Sequence, residues 1–552
     1  MQIRTLMIHC WQRHTLLILS LLLFVGVGLL YLPSIHVPFY LDDAPSIHQN
    51  THLINGNFEG FRRNYWRRLA GYMTFWWEFP LWGLEPRGYH YLNILLHASN
   101  ALLIFHCLRL LLTHYRPQHT TQMLALAFSC ALIWAVHPLN SQAVVYIIQR
   151  LTLLAAFWAL LSLLFWIIAR QNTTPRRWLY FGLALICWPI GVFSKEYVLL
   201  LPLLWLALDI LFFGKGSRHF FVSSLAAISA MAVGAAIAHA LLGWDLAYLD
   251  QLTRDTSRIT RTDYFLTQQS VLAFYIKQVF YPYPILLHHD IPTIIGWSEA
   301  RPWLFLHGSG LLIALLLARK LPLISLSILL FYSFSFVESG VIPIRDMIFE
   351  HRMYLPSLGV ILLSVTLLFT LISGVLKSRP ALSVAAFVCL STCLCVLLAS
   401  LTWQRIQQWQ EPERFYAHAL RHSQNPTLLH NAGVMYAEAG QLARADALIA
   451  RAFDSYLEHN MVVEDIFENY VRLLAKRQRH ERINQLYRDY MPLFLHRPRV
   501  ASHLLTVYAG LPHNYRNCRR ILPILDQALE LNPRNHTAQQ HRQACLGTPL
   551  TP

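Results

Sequence analysis

Charge is what this chain has least of. Only 13% of its 552 residues are Asp, Glu, Lys or Arg, and 55% are hydrophobic; a soluble chain carries about 25% charged residues. An ordinary soluble domain is thereby excluded. Acidic residues are the scarcer sign, 29 against 45 Lys and Arg, leaving a net charge of +16. That balance makes an anionic partner plausible, although basic residues in a membrane protein first of all set its orientation. Cysteine is sparse too. The nine cysteines show no metal-ligand spacing. Cys10, Cys107, Cys130, Cys187, Cys389, Cys393 and Cys395 lie in or beside apolar runs, where they read as small apolar side chains. Cys518 and Cys545 fall in a polar segment and could pair in an oxidising compartment. The first apolar run is long and its flank is poor in small-residue cleavage sites, so it reads as a retained helix.

Long apolar runs, by contrast, are abundant. About 20 apolar residues cross a bilayer as helix. On that scale eleven spans are expected, at 15–33, 91–113, 121–139, 149–169, 178–193, 197–213, 219–242, 303–318, 321–337, 354–376 and 381–402. The basic connectors then fall on one side: Arg4 and Arg13, Arg109 and Arg116, Arg170 with Arg176 and Arg177, Lys215 and Arg218, Arg319 and Lys320, Lys377 and Arg379. The positive-inside rule makes that side cytoplasmic, with the amino terminus inside and the carboxyl tail outside. Residues 268–290 are apolar but contain Lys277, Pro282 and Pro284. Counting them as a span would break the alternation, so an interfacial or re-entrant helix is expected there.

The expected fold class is therefore all-α. A polytopic membrane domain occupies 1–403, with outer loops 34–90, 243–302 and 338–353, and a second domain follows at 404–552. In that second domain "LLHNAGVMYAEAGQLARADALIARAFDSY" (428–456) resembles a tetratricopeptide repeat. Leu429, Ala432, Gly433, Tyr436, Gly440, Ala445 and Ala452 stand where two antiparallel helices need small or bulky partners. "ILDQALELNP" (524–533) resembles the second helix of another repeat, and about three degenerate repeats are expected. Such repeats stack into a concave surface that binds peptide or protein.

With this topology one face gathers the unusual polar residues. Asp42 and Asp43 of "FYLDDAPSIHQN" face outward, as do "HPLN" (137–140), Gln149 and Arg150, "SKE" (194–196), "HHD" (288–290), Glu338 and "EHRMYLP" (350–356). Ionisable groups beside a membrane core are expensive and are functional candidates. One such cluster would read as a helix end at the interface; several on one face argue for a site. The 34–90 loop adds Arg62, Arg63, Arg67, Arg68 and Arg87, and an aromatic run, "YMTFWWEFPLWG" (72–83), suited to lying in the interface. These arginines suit a lipid phosphate, or simple attraction to anionic head groups. His90, His97 and His137 read as packing or interfacial groups.

The order of these motifs carries a family likeness. "FYLDDAPSI", "GYHYLNILLHASNALL" (88–103), "AVHPLNSQAVVYIIQR" (135–150), "SKE", "LLHHDIP" (286–292) and "ESGVIPIRDMIFEHRMYLPSLG" (338–359) precede a repeat tail that begins near "TWQRIQQWQEP" (402–412). The chain resembles the GT-C glycosyltransferases, and within them the transmembrane and tetratricopeptide-repeat O-mannosyltransferases and their bacterial relatives. That resemblance implies transfer of a sugar from a polyprenyl-phosphate carrier to a Ser or Thr hydroxyl of a protein, on the non-cytoplasmic face. It also maps the catalytic carboxylate onto Asp42 and Asp43, with Asp42 favoured as base. The aromatic 71–83 segment departs from the more regular arginine-proline segment of relatives.

The chemistry asks for a base, cations for the departing phosphate and an apolar groove for lipid. Asp42 is the expected base, and Asp43 orients it or shares its proton. Arg352 and Lys195 are the expected phosphate ligands, with His351 and Arg150 as further candidates. Glu196 and Glu350 are expected to position those bases, and His289 and Asp290 are supporting candidates. No metal is required, although magnesium or manganese at Asp42 and Asp43 is an alternative. The expected partners are the lipid-linked donor, a protein acceptor held by the repeats, and the membrane, with no nucleic acid. A bacterial inner membrane is expected, or the endoplasmic reticulum in a eukaryote. Two rivals stay open: an enzyme that decorates a glycolipid or surface polysaccharide, and a membrane scaffold without activity.

Overall fold

The computed structural model describes residues 2–214, 259–287, 289–340, 343, 344, 346–458, 463–511 and 517–547, with scattered residues between 222 and 236. Among the described residues every regular element is helical. That is the expected solution for an apolar chain in lipid, where each backbone N–H and C=O must find its partner within the segment.

Eight of these helices are long and apolar enough to cross a membrane: His14–His36, Pro86–Tyr115, Ile147–Gln171, Glu196–Phe213, Trp297–Leu317, Pro322–Ser339, Pro356–Val375 and Pro380–Gln410. The chain is a multi-pass membrane protein. Two of the eleven expected spans take another form. The one expected at 121–139 is a pair of helices, Pro117–Ala135 and Pro138–Val145, bent by 51° at a break before Pro138. The one expected at 178–193 is a shorter apolar helix, Arg177–Val192. The span expected at 219–242 lies largely outside the described residues. The ambiguous 268–290 segment is a helix only from Arg261 to Phe280. It buries Thr267, Gln268, Gln269 and Gln278 and does not join the candidate spans.

Residues 1–286 and 291–411 form one compact unit; residues 287–290 and 412–552 form another. In the first, the Pro86–Tyr115 helix packs on Thr120–Ala135 and on Arg150–Gln171, and Pro322–Ser339 packs on Pro356–Val375. The last pair approaches closely because residue 359 is glycine. A Cβ there would run into the Ser327 carbonyl oxygen and the Phe331 backbone, the close approach that small residues permit between membrane helices. A buried polar knot adds direction: the Tyr354 hydroxyl meets His97 at 2.7 Å and Asn100 at 3.1 Å, while Trp134 donates to the Tyr354 carbonyl at 2.8 Å. His90 and His137 bond the carbonyls of Val37 and Val279.

The bend at 136–137 leads the chain to Tyr146 and Ile148, which bond the first loop. Beyond it the chain runs through three short helices, Pro138–Asn140, Ser141–Val145 and Ile147–Gln149, in which residues 138–148 are all buried.

The second unit is a stack of helical hairpins: Pro426–Glu438 with Leu442–Glu458, Glu464–Lys476 with His480–Tyr490, and Pro498–Ala509 with Cys518–Leu531. Leu429, Ala432, Tyr436, Ala445 and Ala452 are buried. Gly440 turns the first hairpin at φ +77°, a conformation that glycine adopts without a Cβ penalty. Cys518 and Cys545 form a disulfide that ties Cys518–Leu531 to the closing helix His536–Gly547, 27 residues apart. Cross-linking a loop of that length is worth roughly 3 kcal/mol. Cys518→Ser is therefore expected to destabilise this unit by about that amount. Limited proteolysis of the full chain would show it as earlier cleavage within 517–547, as would reduction of the wild type.

Candidate active site

The two adjacent carboxylates have different surroundings. Asp43 is 1% exposed. Its Oδ2 accepts the Tyr40 N–H at 2.9 Å and its Oδ1 accepts the Ile148 N–H at 2.8 Å. It therefore pins the first loop to the 147–149 turn. Burial pushes its pKa up to about 8, against the two N–H donors that favour the carboxylate. Asp42 is exposed. Its own N–H donates to the Tyr146 hydroxyl at 2.8 Å, and its carboxylate acts electrostatically on the same hydroxyl. Leu41, just before it, sits at φ +37°, a left-handed conformation that costs a leucine about 1–2 kcal/mol.

Asp43 gives a pH dependence with a definite sign. A carboxyl whose folded pKa exceeds its unfolded value holds its proton more tightly in the native protein. Its contribution to stability is thus full below about pH 4, declines as the pH rises, and is gone by about pH 8. The decline is at most about 1.4 kcal/mol per pH unit. Thermal midpoints of the detergent-solubilised protein should fall between pH 5 and 8. Asp43→Asn should flatten that slope while lowering the acidic-side midpoint, because an amide cannot accept both backbone bonds. A profile identical to that of wild type would refute the assignment.

Three cations, Arg68, Lys195 and Arg352, act together on His351. The Leu69–Trp82 helix starts on the 193–196 turn, with the Ala70 N–H donating to the Phe193 carbonyl at 3.2 Å. Arg68, just ahead of that helix, makes a fork with Glu196, its Nε lying 3.0 Å from both carboxylate oxygens. Glu196 holds Arg68 firmly charged, yet the arginine side chain stays 40% exposed. Lys195 is buried, 3.2 Å from Glu338 and 3.0 Å from the Thr152 hydroxyl. Burial lowers its pKa against the pull of Glu338. Arg352 is buried too; it donates to the Met347 and Asp346 carbonyls at 3.0 and 2.6 Å and lies over the Phe349 ring. Tyr72 is the electrostatic link. Its hydroxyl interacts with Arg68, Asp42 and Glu196, and its ring stacks on Tyr65 at 3.9 Å.

Several expected site residues are placed elsewhere or otherwise engaged. Arg150 is 0% exposed. It donates to Asn93, Thr74, Glu78 and the Tyr89 carbonyl and packs against the Phe75 and Tyr89 rings. With its donors committed inside the protein, it is a structural arginine. His351 is held neutral, by burial and then by the charges of Lys195, Arg352 and Arg68, so it brings no positive charge to a phosphate. Its backbone N–H donates to Gln142 at 2.8 Å. Glu350 accepts the Leu286 N–H at 2.6 Å and so anchors that connector. His289 and Asp290 group with the second unit, where Asp290 accepts the Gln424 N–H at 3.2 Å. Tyr72, Tyr146, Gln142 and Glu338 complete the cluster; the sequence had singled out only Glu338, as a bare charge.

A divalent ion at Asp42 and Asp43 would have to share Asp43 with the backbone. Both Asp43 oxygens accept backbone N–H groups. Among the described residues no three His, Cys, Asp or Glu side chains converge as a metal site.

Comparison with known proteins gives two relatives. The chain is 24% identical over 425 residues to Protein O-mannosyl-transferase F38B6.6 of Caenorhabditis elegans, an alignment covering 73% of this chain. The chain resembles the protein O-mannosyl-transferases. A shorter stretch of 95 residues is 35% identical to Protein O-mannosyl-transferase Tmtc3 of Drosophila melanogaster and covers 15% of this chain. The alignments span 57% of the first relative and 10% of the second. No family model and no solved structure matches the chain.

Proposed function

We propose that this protein is a membrane glycosyltransferase that moves a sugar from a polyprenyl-phosphate carrier to a Ser or Thr hydroxyl of a protein acceptor, on the non-cytoplasmic face. The observation that carries this reading is the exposed carboxylate Asp42 acting with Arg68 on the Tyr72 hydroxyl, while Arg68 joins Lys195 and Arg352 in acting on His351. The similarity to proteins named O-mannosyl-transferase supports the acceptor class.

Asp42 takes the proton of the acceptor hydroxyl as its oxygen bonds to the anomeric carbon. The bond from that carbon to the phosphate oxygen breaks, and the electron pair leaves with the lipid phosphate. General-base help of this kind contributes about 10²–10⁴ in rate. Arg68, the accessible cation, meets the phosphate directly, with a planar fork suited to its oxygens. Lys195 and Arg352 supply positive potential from behind it, where burial strengthens their field. Glu196 and Glu338 keep the cations placed between turnovers. The helical hairpins of the tail bind the acceptor polypeptide.

The test is intact-mass analysis of the exported proteins in cells lacking the chain, complemented with wild type or with Asp42→Asn. A hexose- or pentose-sized mass that disappears in the null and returns only with wild type supports the proposal. Return with both versions removes Asp42 as base. No change in any protein mass, with an altered glycolipid, moves the acceptor to the glycolipid class.

A further inference from the structure

We propose that Tyr146, backed by Trp409, is the positioning residue that holds Asp42 in its working place; the inference rests on the reading of Asp42 as base. Asp42 follows a leucine in left-handed conformation. Backbone strain of this kind persists only where surrounding contacts over-determine it. The contacts here are specific. The Tyr146 hydroxyl accepts the Asp42 N–H at 2.8 Å, which leaves its own proton available to the Asp42 carboxylate, the charge that acts on it electrostatically. One hydroxyl thus addresses both the backbone and the side chain of the same residue.

Tyr146 in turn has little freedom. It is buried, and its ring stacks on Trp409 with centroids 6.0 Å apart and planes within 27°. Trp409 is fully buried and meets the Tyr40 ring edge-on at 5.0 Å. The Tyr40 hydroxyl donates to the Trp409 carbonyl at 2.7 Å, and Gln410 donates to the Pro33 carbonyl at 2.8 Å. The end of the Pro380–Gln410 helix is therefore stapled to the chain on its way into the first loop. Asp43, bonded to the Ile148 N–H, fixes the other side of the same turn. Tyr40, Tyr146 and Trp409 form a clamp that presents the exposed Asp42.

A base misplaced by about 1 Å can lose about a hundredfold in rate, so removing one oxygen from the clamp has a measurable consequence. Tyr146→Phe keeps the ring and its stack on Trp409 but deletes the hydroxyl. Two readouts on the detergent-purified full chain separate the possibilities. The first is independent of activity: carbodiimide-driven coupling of glycine ethyl ester to Asp42, followed by peptide mass spectrometry, with exposed Glu59 and Asp290 as internal references. The second is transfer kinetics. The expected result is a raised rate of Asp42 labelling, reference sites unchanged, and kcat lowered about 10–100-fold with the donor KM and the thermal midpoint at wild-type values. Trp409→Phe, which retains an aromatic support, should recover most of the activity that Trp409→Leu loses.

Unchanged Asp42 labelling in Tyr146→Phe overturns the clamp and leaves the base assignment standing. Raised labelling with undiminished transfer overturns the base assignment, and the catalytic meaning of the clamp with it. A kcat loss that merely follows a lowered thermal midpoint makes Tyr146 a packing residue and also overturns the proposal.

Discussion

Asp42→Asn is expected to abolish transfer while leaving the fold intact, with a fall in kcat of about 10²–10⁴. Asn is isosteric, Asp42 is exposed, and the bond to Tyr146 that defines the turn comes from the backbone N–H, which the substitution keeps. No buried charge is stranded. What disappears is the capacity to accept the acceptor's proton, an interaction made only as the new bond forms, so kcat should fall and the donor KM should not. The measurement is initial rate against donor concentration for purified wild type and variant, with the thermal midpoint as control. Activity retained within a few-fold would remove general-base catalysis from Asp42. Asp43 is the poorer substitute, because both of its oxygens already serve the backbone.

The second large effect lies in stability. Arg150→Met is expected to cost about 3–5 kcal/mol, the range for stranding one partner of a buried charged pair. Glu78, only 15% exposed, would be left without its cation, and the Asn93 oxygen and Tyr89 carbonyl without their donors. A marginally stable domain would not survive that loss, so the variant should show low recovery from membranes and a collapsed thermal midpoint. Arg68→Met makes the contrast. Its partner Glu196 is 39% exposed and can be solvated, so the stability cost should be at most about 1 kcal/mol. Transfer should nevertheless fall, with a raised donor KM. If Arg150→Met folds normally and weakens only donor binding, the roles of the two arginines are reversed.

These two arginines also mark how far the amino-acid sequence could be read. Both lie near the first membrane helices, both belong to clusters expected from the sequence to face outward, and nothing in their neighbours distinguishes a buried guanidinium from an accessible one. Burial is a property of the environment, supplied by Phe75, Tyr89, Glu78 and Asn93 in one case and by the 193–196 turn in the other. The same holds for the aspartates. Adjacent positions in the chain point to opposite environments once the turn forms, so a carboxylate pair became one exposed candidate base and one buried anchor.

What the sequence determined by itself was the material: scarce charge and repeated apolar runs that admit only helices in lipid, a polar tail with small residues at hairpin spacing, and an acidic pair behind the first run. Those features are local, because helix length, hydropathy and the fit of Ala432, Gly433 and Tyr436 depend on near neighbours in the chain. Tertiary structure alone decided the site. Asp42 meets Tyr146 across 104 residues, Lys195 meets Thr152 across 43, and Tyr40 meets Trp409 across 369. No local pattern encodes such pairings. They arise because packing of the helices, and the bend before Pro138, bring distant ends of the chain to one place.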